Sequence, residues 1–337
     1  MKKTNEIPKF RNRGDQFLDV IESEWHSLII RLCDEINYST TQFYRSKGIK
    51  SVYLPITTGS ISSPMGLSSD SLPVAVNIGG VDIYLADSMQ FLLEYSTRVT
   101  QNGSYYIMPS FRGEKMDKRH LNQFYHSEAE IIGDLDDVMN LVEEYIVYIT
   151  KSLISKFEEE IKKYTGDIKH LIDLVSKKEI SRITFKEALS ILSNYEDAIT
   201  YKEGFAFISN FGEQKLIEIF GGIVWLTHFE KLTVPFYQAT CTIDNNNALC
   251  ADLLFGVGEV VGCGERCLTG KDLISSLNEQ KIDHDPYYWY IKMKENYPLK
   301  TSGFGMGIER YLLWLFKHDD IRDTQLILRV NGEIQNI

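Results

Sequence analysis

The sequence predicts an α+β fold with a mainly antiparallel β-sheet flanked by helices, on three observations. A long helical pattern opens the chain. A strand–loop–strand unit ends near residue 131. After Phe205 the chain returns to short β-prone runs, and a Gly-rich turn at Gly303–Gly307 leads into a closing helix.

From Gln16 to about Tyr44, Phe17, Ile21, Trp25, Leu28, Leu32 and Ile36 recur at steps of three or four, which predicts one amphipathic helix. Ser51–Tyr53 is β-prone and stops at Pro55, and Thr57–Ser71 has the Gly/Ser/Pro chemistry of a loop. Val74–Leu85 reads as a hairpin around Gly79-Gly80, with Asp87 or Ser88 as the cap of a helix beginning near Met89. Tyr105–Arg112 and Leu121–Ile131 are β-like runs joined by the charged turn Glu114–Lys118. Leu135–Glu160 is helical, and the charged stretch to about Tyr201 reads as helical too, without the composition of a linker.

The 337 residues, 43% apolar and 25% charged, suffice to bury a sizeable core. A net charge of -11 repels polyphosphate in general, so nucleic-acid affinity would need a local basic patch. Lys2, Lys3, Lys9, Arg11 and Arg13 near the N-terminus precede no signal-peptide core, and no run reaches membrane-spanning length, so the expected location is the cytoplasm. Five cysteines form an odd set, and the closest pair, Cys263 and Cys267, has a spacer unlike a zinc knuckle; buried free thiols are expected.

Chemistry concentrates in three places. On the second β-like run Asn122, Phe124, His126, Glu128 and Glu130 share one face, and Arg112 and Glu114 share a face across the loop, a mixture unlike a core. Arg310 falls in the first turn of the last helix, where the helix dipole disfavours a cation unless an anion faces it. Between them, Asp252 and Glu259 stand seven residues apart around Gly256 and Gly258, and a turn there would bring both carboxylates to one site suited to magnesium bound to ATP.

Taken in order, Phe111-Arg112-x-Glu114 with Arg119-His120-Leu121 and Phe124 resembles motif 2 of the class II aminoacyl-tRNA synthetases. Gly303–Arg310 resembles motif 3, and the first helix with its Pro55 strand resembles motif 1. The resemblance, to the catalytic core of the asparaginyl/aspartyl subgroup and to the related AMP-forming asparagine synthetases, runs from about Asp15 to Arg329. It implies a tail over residues 1–14 and one catalytic domain over 15–337, with the helical segment of about 135–200 inside it. The implied cofactors are ATP and Mg2+. Arg112 would hold the α-phosphate and the substrate carboxylate, Glu114 the adenine amine, Phe124 one adenine face opposite Arg310, and Arg119 and His120 the outer phosphates. Asp252 and Glu259 fit the family's magnesium positions, while Arg112 and Arg310 supply the catalytic charge.

For the amino acid, the resemblance implies that Arg266, seven residues after Glu259, reads the side chain, with Ser88 and Gln90 near the amino group. Leu93 stands where aspartate-specific members carry a lysine, and Glu128 stands where asparaginyl enzymes carry a glutamate, so an asparagine-like amide is the expected substrate. The chain departs from the pattern at Gln123, at Gly262-Cys263-Gly264 and at Thr301, and only Asp70 offers a carboxylate in the Ser60–Ser71 loop.

Only about fifteen residues precede the motif 1 helix, which leaves no room for an anticodon-reading barrel. With the acidic charge, this makes ammonia or another small amine the expected acyl acceptor, with tRNA as the alternative and a non-catalytic ATP- or amino-acid-binding paralogue as a third reading. A homodimer through the motif 1 helix is expected, its apolar stripe being compatible with burial there and, equally on pattern alone, with packing inside the chain.

Overall fold

The computed structural model describes residues 6–9, 16–62 and 71–332. The chain begins with α1 (Gln16–Ile21), α2 (Glu24–Ser46), β1 (Lys50–Ser51), β2 (Thr57–Thr58), β3 (Val74–Ile78), β4 (Val81–Leu85), α3 (Gln90–Thr100), β5 (Gly103–Phe111) and β6 (Gln123–Ile132). The middle holds α4 (Leu135–Thr165), α5 (Lys169–Ser176), β7 (Ser181–Thr184), α6 (Phe185–Leu192), β8 (Ile199–Lys202), β9 (Phe205–Ile208), α7 (Asn210–Ile219) and β10 (Ile223–Thr227). It closes with β11 (Cys250–Phe255), β12 (Gly258–Glu265), α8 (Gly270–Glu279), α9 (Tyr288–Asn296), β13 (Thr301–Gly307) and α10 (Ile308–Phe316).

Among the described residues, eight strands form the central sheet in the order β1-β5-β6-β13-β12-β11-β10-β7. Its inner pairs are antiparallel, and the two edge pairs, β1 with β5 and β7 with β10, are parallel. The alternation of strand side chains assigns the faces. Tyr105, Ala129, Leu253, Val261 and Phe304 enter the main core, which they share with residues of α2, α4 and α10. Their neighbours Glu128, Glu130 and Asp252 belong to the opposite face.

Across that opposite face, paired positions run Tyr106–Glu128–Gly305–Gly262–Asp252, and one step along the strands Ser104–Glu130–Gly303–Gly264–Cys250. Glycines therefore occupy the two central strands while carboxylates stand on the flanking ones. A Cβ on Gly303 would lie 1.7 Å from Glu130 Oε2, so only the missing side chain lets that carboxylate fold over its neighbour. The run Gly303–Gly307, expected as a turn, is thus a strand whose glycines floor a cavity.

Several other expectations are corrected. The first helix divides, because Ser23 takes an extended conformation and its hydroxyl accepts from His26 N at 3.3 Å, starting α2 afresh. Trp25, Leu28, Leu32 and Ile36 are buried in the main core, against α4 and its neighbours, so this stripe is not available to a two-fold interface; Phe17 and Ile21 are exposed. Neither Asp87 nor Ser88 is the N-cap of α3, which falls on Met89 without a side-chain cap; Asp87 instead accepts from Ser62. The stretch expected to be helical as far as Tyr201 contains β7 and β8, and its apolar residues, with α6 and α7, form a second small core around Leu192 and Leu216. The cysteines are free, Cys33 half-buried and the other four buried. Among the described residues, no helix is long and apolar enough to cross a membrane. Most of the Ser60–Ser71 loop, Asp70 included, lies outside the described residues.

Candidate active site

The loop between β5 and β6 is shaped by Asp117, whose Oδ1 accepts from Arg119 N at 2.7 Å and His120 N at 2.9 Å and lies 3.0 Å from His120 Nδ1. Asn122 Nδ2 donates to the carbonyls of Arg112 and Glu114, closing the neck of the loop. The Arg112 guanidinium lies 5.5 Å from the Phe124 ring centroid, and its Nη1 is 4.0 Å from Glu114 Oε1. Glu114 Oε2 accepts from Leu72 N at 3.1 Å. Arg112 Nε and Arg119 Nε are both buried without a hydrogen-bond partner. Unmade bonds of charged donors are costly inside a protein, and both arginines line a cavity.

On the other side of the cavity, β11 and β12 turn through Gly256 and Gly258, with a register shift at Leu253/Leu254. The shift brings Asp252 and Glu259 to one face: a Cβ on Gly262 would lie 3.0 Å from Glu259 Oε1 and 3.5 Å from Asp252 Oδ1. Burial pushes the Asp252 carboxyl well above its ordinary range, and the charges of Glu259 and Glu213 push it further. Such crowding favours a cation, and two carboxylates with open coordination positions fit magnesium that takes its remaining oxygens from phosphate and water. Arg310 finds the anion its helix position demands, Nη1 donating to Glu259 O at 2.7 Å and lying 3.6 Å from Glu259 Oε2. Burial, with Arg112 and Arg119 nearby, lowers its pKa from the usual guanidinium value.

At the amino-acid end, Glu128 Oε2 accepts from Ser88 Oγ at 2.6 Å and from the Tyr106 hydroxyl, while Oε1 lies 3.1 Å from His126 Nδ1. Ser88 Oγ in turn accepts from Gln90 N at 3.2 Å, and Gln90 Nε2 is buried without a partner. Arg266 does not pair with Glu128. It grips Glu130, Nε to Oε1 at 2.9 Å and Nη2 to Oε2 at 3.1 Å, reaches Gln238 Oε1 at 3.1 Å, and lies over Tyr237. Behind this pair Glu94 accepts from Arg98, Thr301, Tyr290 and the fully buried Lys294, whose Nζ also donates to Cys267 O at 2.6 Å.

With the exception of Phe124, every side chain assigned above to ATP, metal or amino acid lines one cleft of about 830 Å3. Phe124 lines an adjoining recess together with Arg112, Glu114, Arg119, His120 and Arg310. The cleft is thus cationic at one end and closed by buried, hydrogen-bonded carboxylates at the other. Sequence reasoning missed Glu213, Tyr106, Gln238, Glu94 and Lys294. For Glu94 a signal existed, since it follows Gln90 by one helical turn and so shares its inward face.

Residues 10–329 match the family of class II tRNA synthetases (D, K and N). The chain belongs to this family. It is similar to the probable cytoplasmic asparagine–tRNA ligase of Encephalitozoon cuniculi, 32% identical over 258 residues, which are 74% of this chain and 56% of that protein. It is also similar to the asparagine–tRNA ligase of Thermoplasma acidophilum, at 26% identity over 96% of this chain and 75% of the relative. In the first relatives, from Encephalitozoon cuniculi and Enterocytozoon bieneusi, the match spans little more than half of their length. The crystal structure of asparaginyl-tRNA synthetase from Pyrococcus horikoshii complexed with asparaginyl-adenylate superposes with a TM-score of 0.86 at 25% identity, over 95% of this chain and 72% of that one. The class II synthetase-like α+β fold is thereby shown.

Proposed function

We propose that this chain is an AMP-forming ligase that activates asparagine as its adenylate and transfers the asparaginyl group to tRNA. The observation that supports the chemistry is the meeting of Arg112, Arg119 and Arg310 with Asp252 and Glu259 in the cleft that Glu128, Gln90 and Arg266 also line. Arg112 and Arg310 stand where they neutralise charge developing on the α-phosphate as the substrate carboxylate attacks it, so positioning and electrostatics do the work and no general base is needed. Magnesium held by Asp252 and Glu259 would screen the phosphate charges. Phe124 and Glu114 hold the base, and His120 and Arg119 the outer phosphates.

Glu128, fixed by the Ser88 and Tyr106 hydroxyls, presents a negative wall to the side chain. An amide is admitted and a second carboxylate is repelled. The Gln90 side chain lines the same end of the cleft.

The small-amine acceptor, expected from the short stretch before the first helix and the acidic charge, finds no support in the comparisons, whose relatives are named asparagine–tRNA ligases. We therefore favour tRNA. A homodimer remains the proposed assembly; Ile30 and Tyr38 of α2 and the fully exposed Tyr53 between β1 and β2 are the apolar surface it would use. The acceptor is tested by incubating the protein with ATP, labelled asparagine and total tRNA. Acid-precipitable label supports tRNA, and asparaginyl hydroxamate formed with hydroxylamine while tRNA stays uncharged supports the small amine.

A further inference from the structure

Glu213 has no place in the sequence motifs, yet it reaches the centre of the phosphate end from α7, an element of the second small core. Its position is built with care. The Ser209 hydroxyl caps α7, Glu213 N donates to Ser209 O at 2.9 Å, and Gln214 Nε2 donates to Gly256 O at 3.0 Å, docking the helix on the β11–β12 turn. From there Glu213 Oε2 accepts from Arg119 Nη2 at 3.1 Å. The turn makes room for this pair, because a Cβ on Gly258 would lie 2.2 Å from Glu213 Oε2 and 2.7 Å from Arg119 Nη2, and Gly258 has a φ of +127°.

The pair is unequal to a buried structural ion pair. Arg119 uses one donor on Glu213 and keeps its buried Nε unpaired, and both side chains remain about one-fifth to one-quarter exposed. Burial and the charge of Glu259 disfavour the Glu213 carboxylate, and Arg119 and Arg310 relieve it. Arg119, with Arg112, in turn crowds Arg310 in a cleft lined by four guanidinium groups. A polyphosphate offers Arg119 a denser array of acceptors than a single carboxylate does.

We propose that Glu213 is a positioning residue for Arg119: in the ligand-free chain it holds the guanidinium to one side, and ATP binding transfers Arg119 from the carboxylate to the phosphates. This rests on the reading of the cleft as an ATP site. Glu213 therefore lowers ATP affinity while it balances the charge of the cleft before ATP binds, and the loop carrying Arg119 need not move because Asp117 already fixes its backbone.

Calorimetric titration of ATP into the unaltered chain, Glu213→Gln, Arg119→Met and the double variant tests the exchange. Glu213→Gln is expected to tighten ATP binding about fivefold when Arg119 is present and by less than about twofold when it is Met. Glu213→Asp, which keeps the charge but withdraws it from Arg119, is expected to tighten binding as well. Equal tightening in both Arg119 backgrounds would mean that plain charge repulsion acts, and it overturns the proposal, as does unchanged or weaker binding in both Glu213 variants. Failure of the unaltered chain to bind ATP overturns the nucleotide reading itself, a result distinct from either.

Discussion

Arg266 and Glu130 form a forked, buried pair, two parallel N–H···O contacts of 2.9 and 3.1 Å, on the wall of the cleft next to Glu128. Burial disfavours the guanidinium charge, but Glu130 outweighs it and holds Arg266 above its usual range. Removing the carboxylate leaves a buried charge without its partner. Glu130→Ala should therefore cost about 3–5 kcal/mol in urea unfolding. A loss below about 1 kcal/mol would show that the pair is not buried as described.

Substrate choice should depend on Glu128 before ATP binding does. Glu128→Gln keeps the shape of the wall and removes its charge, so preference for asparagine over aspartate should fall at least about tenfold in kcat/KM. The KM for ATP should stay within about twofold. A raised KM for ATP with unaltered amino-acid preference would place Glu128 in the wrong half of the cleft.

The glycine floor gives a steric prediction. Gly303→Ala drives a methyl group into Glu130 and must displace the Arg266 pair, for a loss of at least about 3 kcal/mol. Gly59, with open space around its Cβ position, is the comparator. Thermal unfolding should shift far more for Gly303→Ala than for Gly59→Ala, and equal shifts would contradict the packing.

Acid should attack the cluster behind the pocket. Burial alone would raise the Glu94 carboxyl, but Lys294 and Arg98 bring it down to about 2. A carboxylate with a depressed folded pKa contributes stability above its unfolded value, near 4.3, and that contribution is lost as pH falls toward about 2. Unfolding free energy should drop by on the order of 3 kcal/mol across that window from this group. Glu94→Gln should flatten the slope there, and an unchanged slope would show that Glu94 ionises normally.

The sequence made legible the elements whose signals are local. The hairpin at Gly79-Gly80, the β5–β6 unit and the helix after Gly307 follow from periodicity and turn chemistry. Asp252 and Glu259 could be joined because glycines between them allow a turn. What was hidden depends on strand register. Gly303 and Gly305 looked like a turn because nothing local reveals that Glu130 and Glu128 fold over them. Arg266 was placed beside the substrate, but that its carboxylate partner is Glu130 rather than Glu128 is decided by which neighbours the sheet brings to its fork. Glu213 and Lys294 come from elements distant in sequence, and only tertiary packing brings them to the site.

The most direct measurement is ATP–pyrophosphate exchange by the purified chain with asparagine, aspartate and the other amino acids in turn, with and without total tRNA. Exchange supported by asparagine, and reduced about 100-fold or more by Arg310→Ala, is the expected result. Exchange supported by aspartate but not asparagine, or by no amino acid at all, would contradict an asparagine-adenylating site.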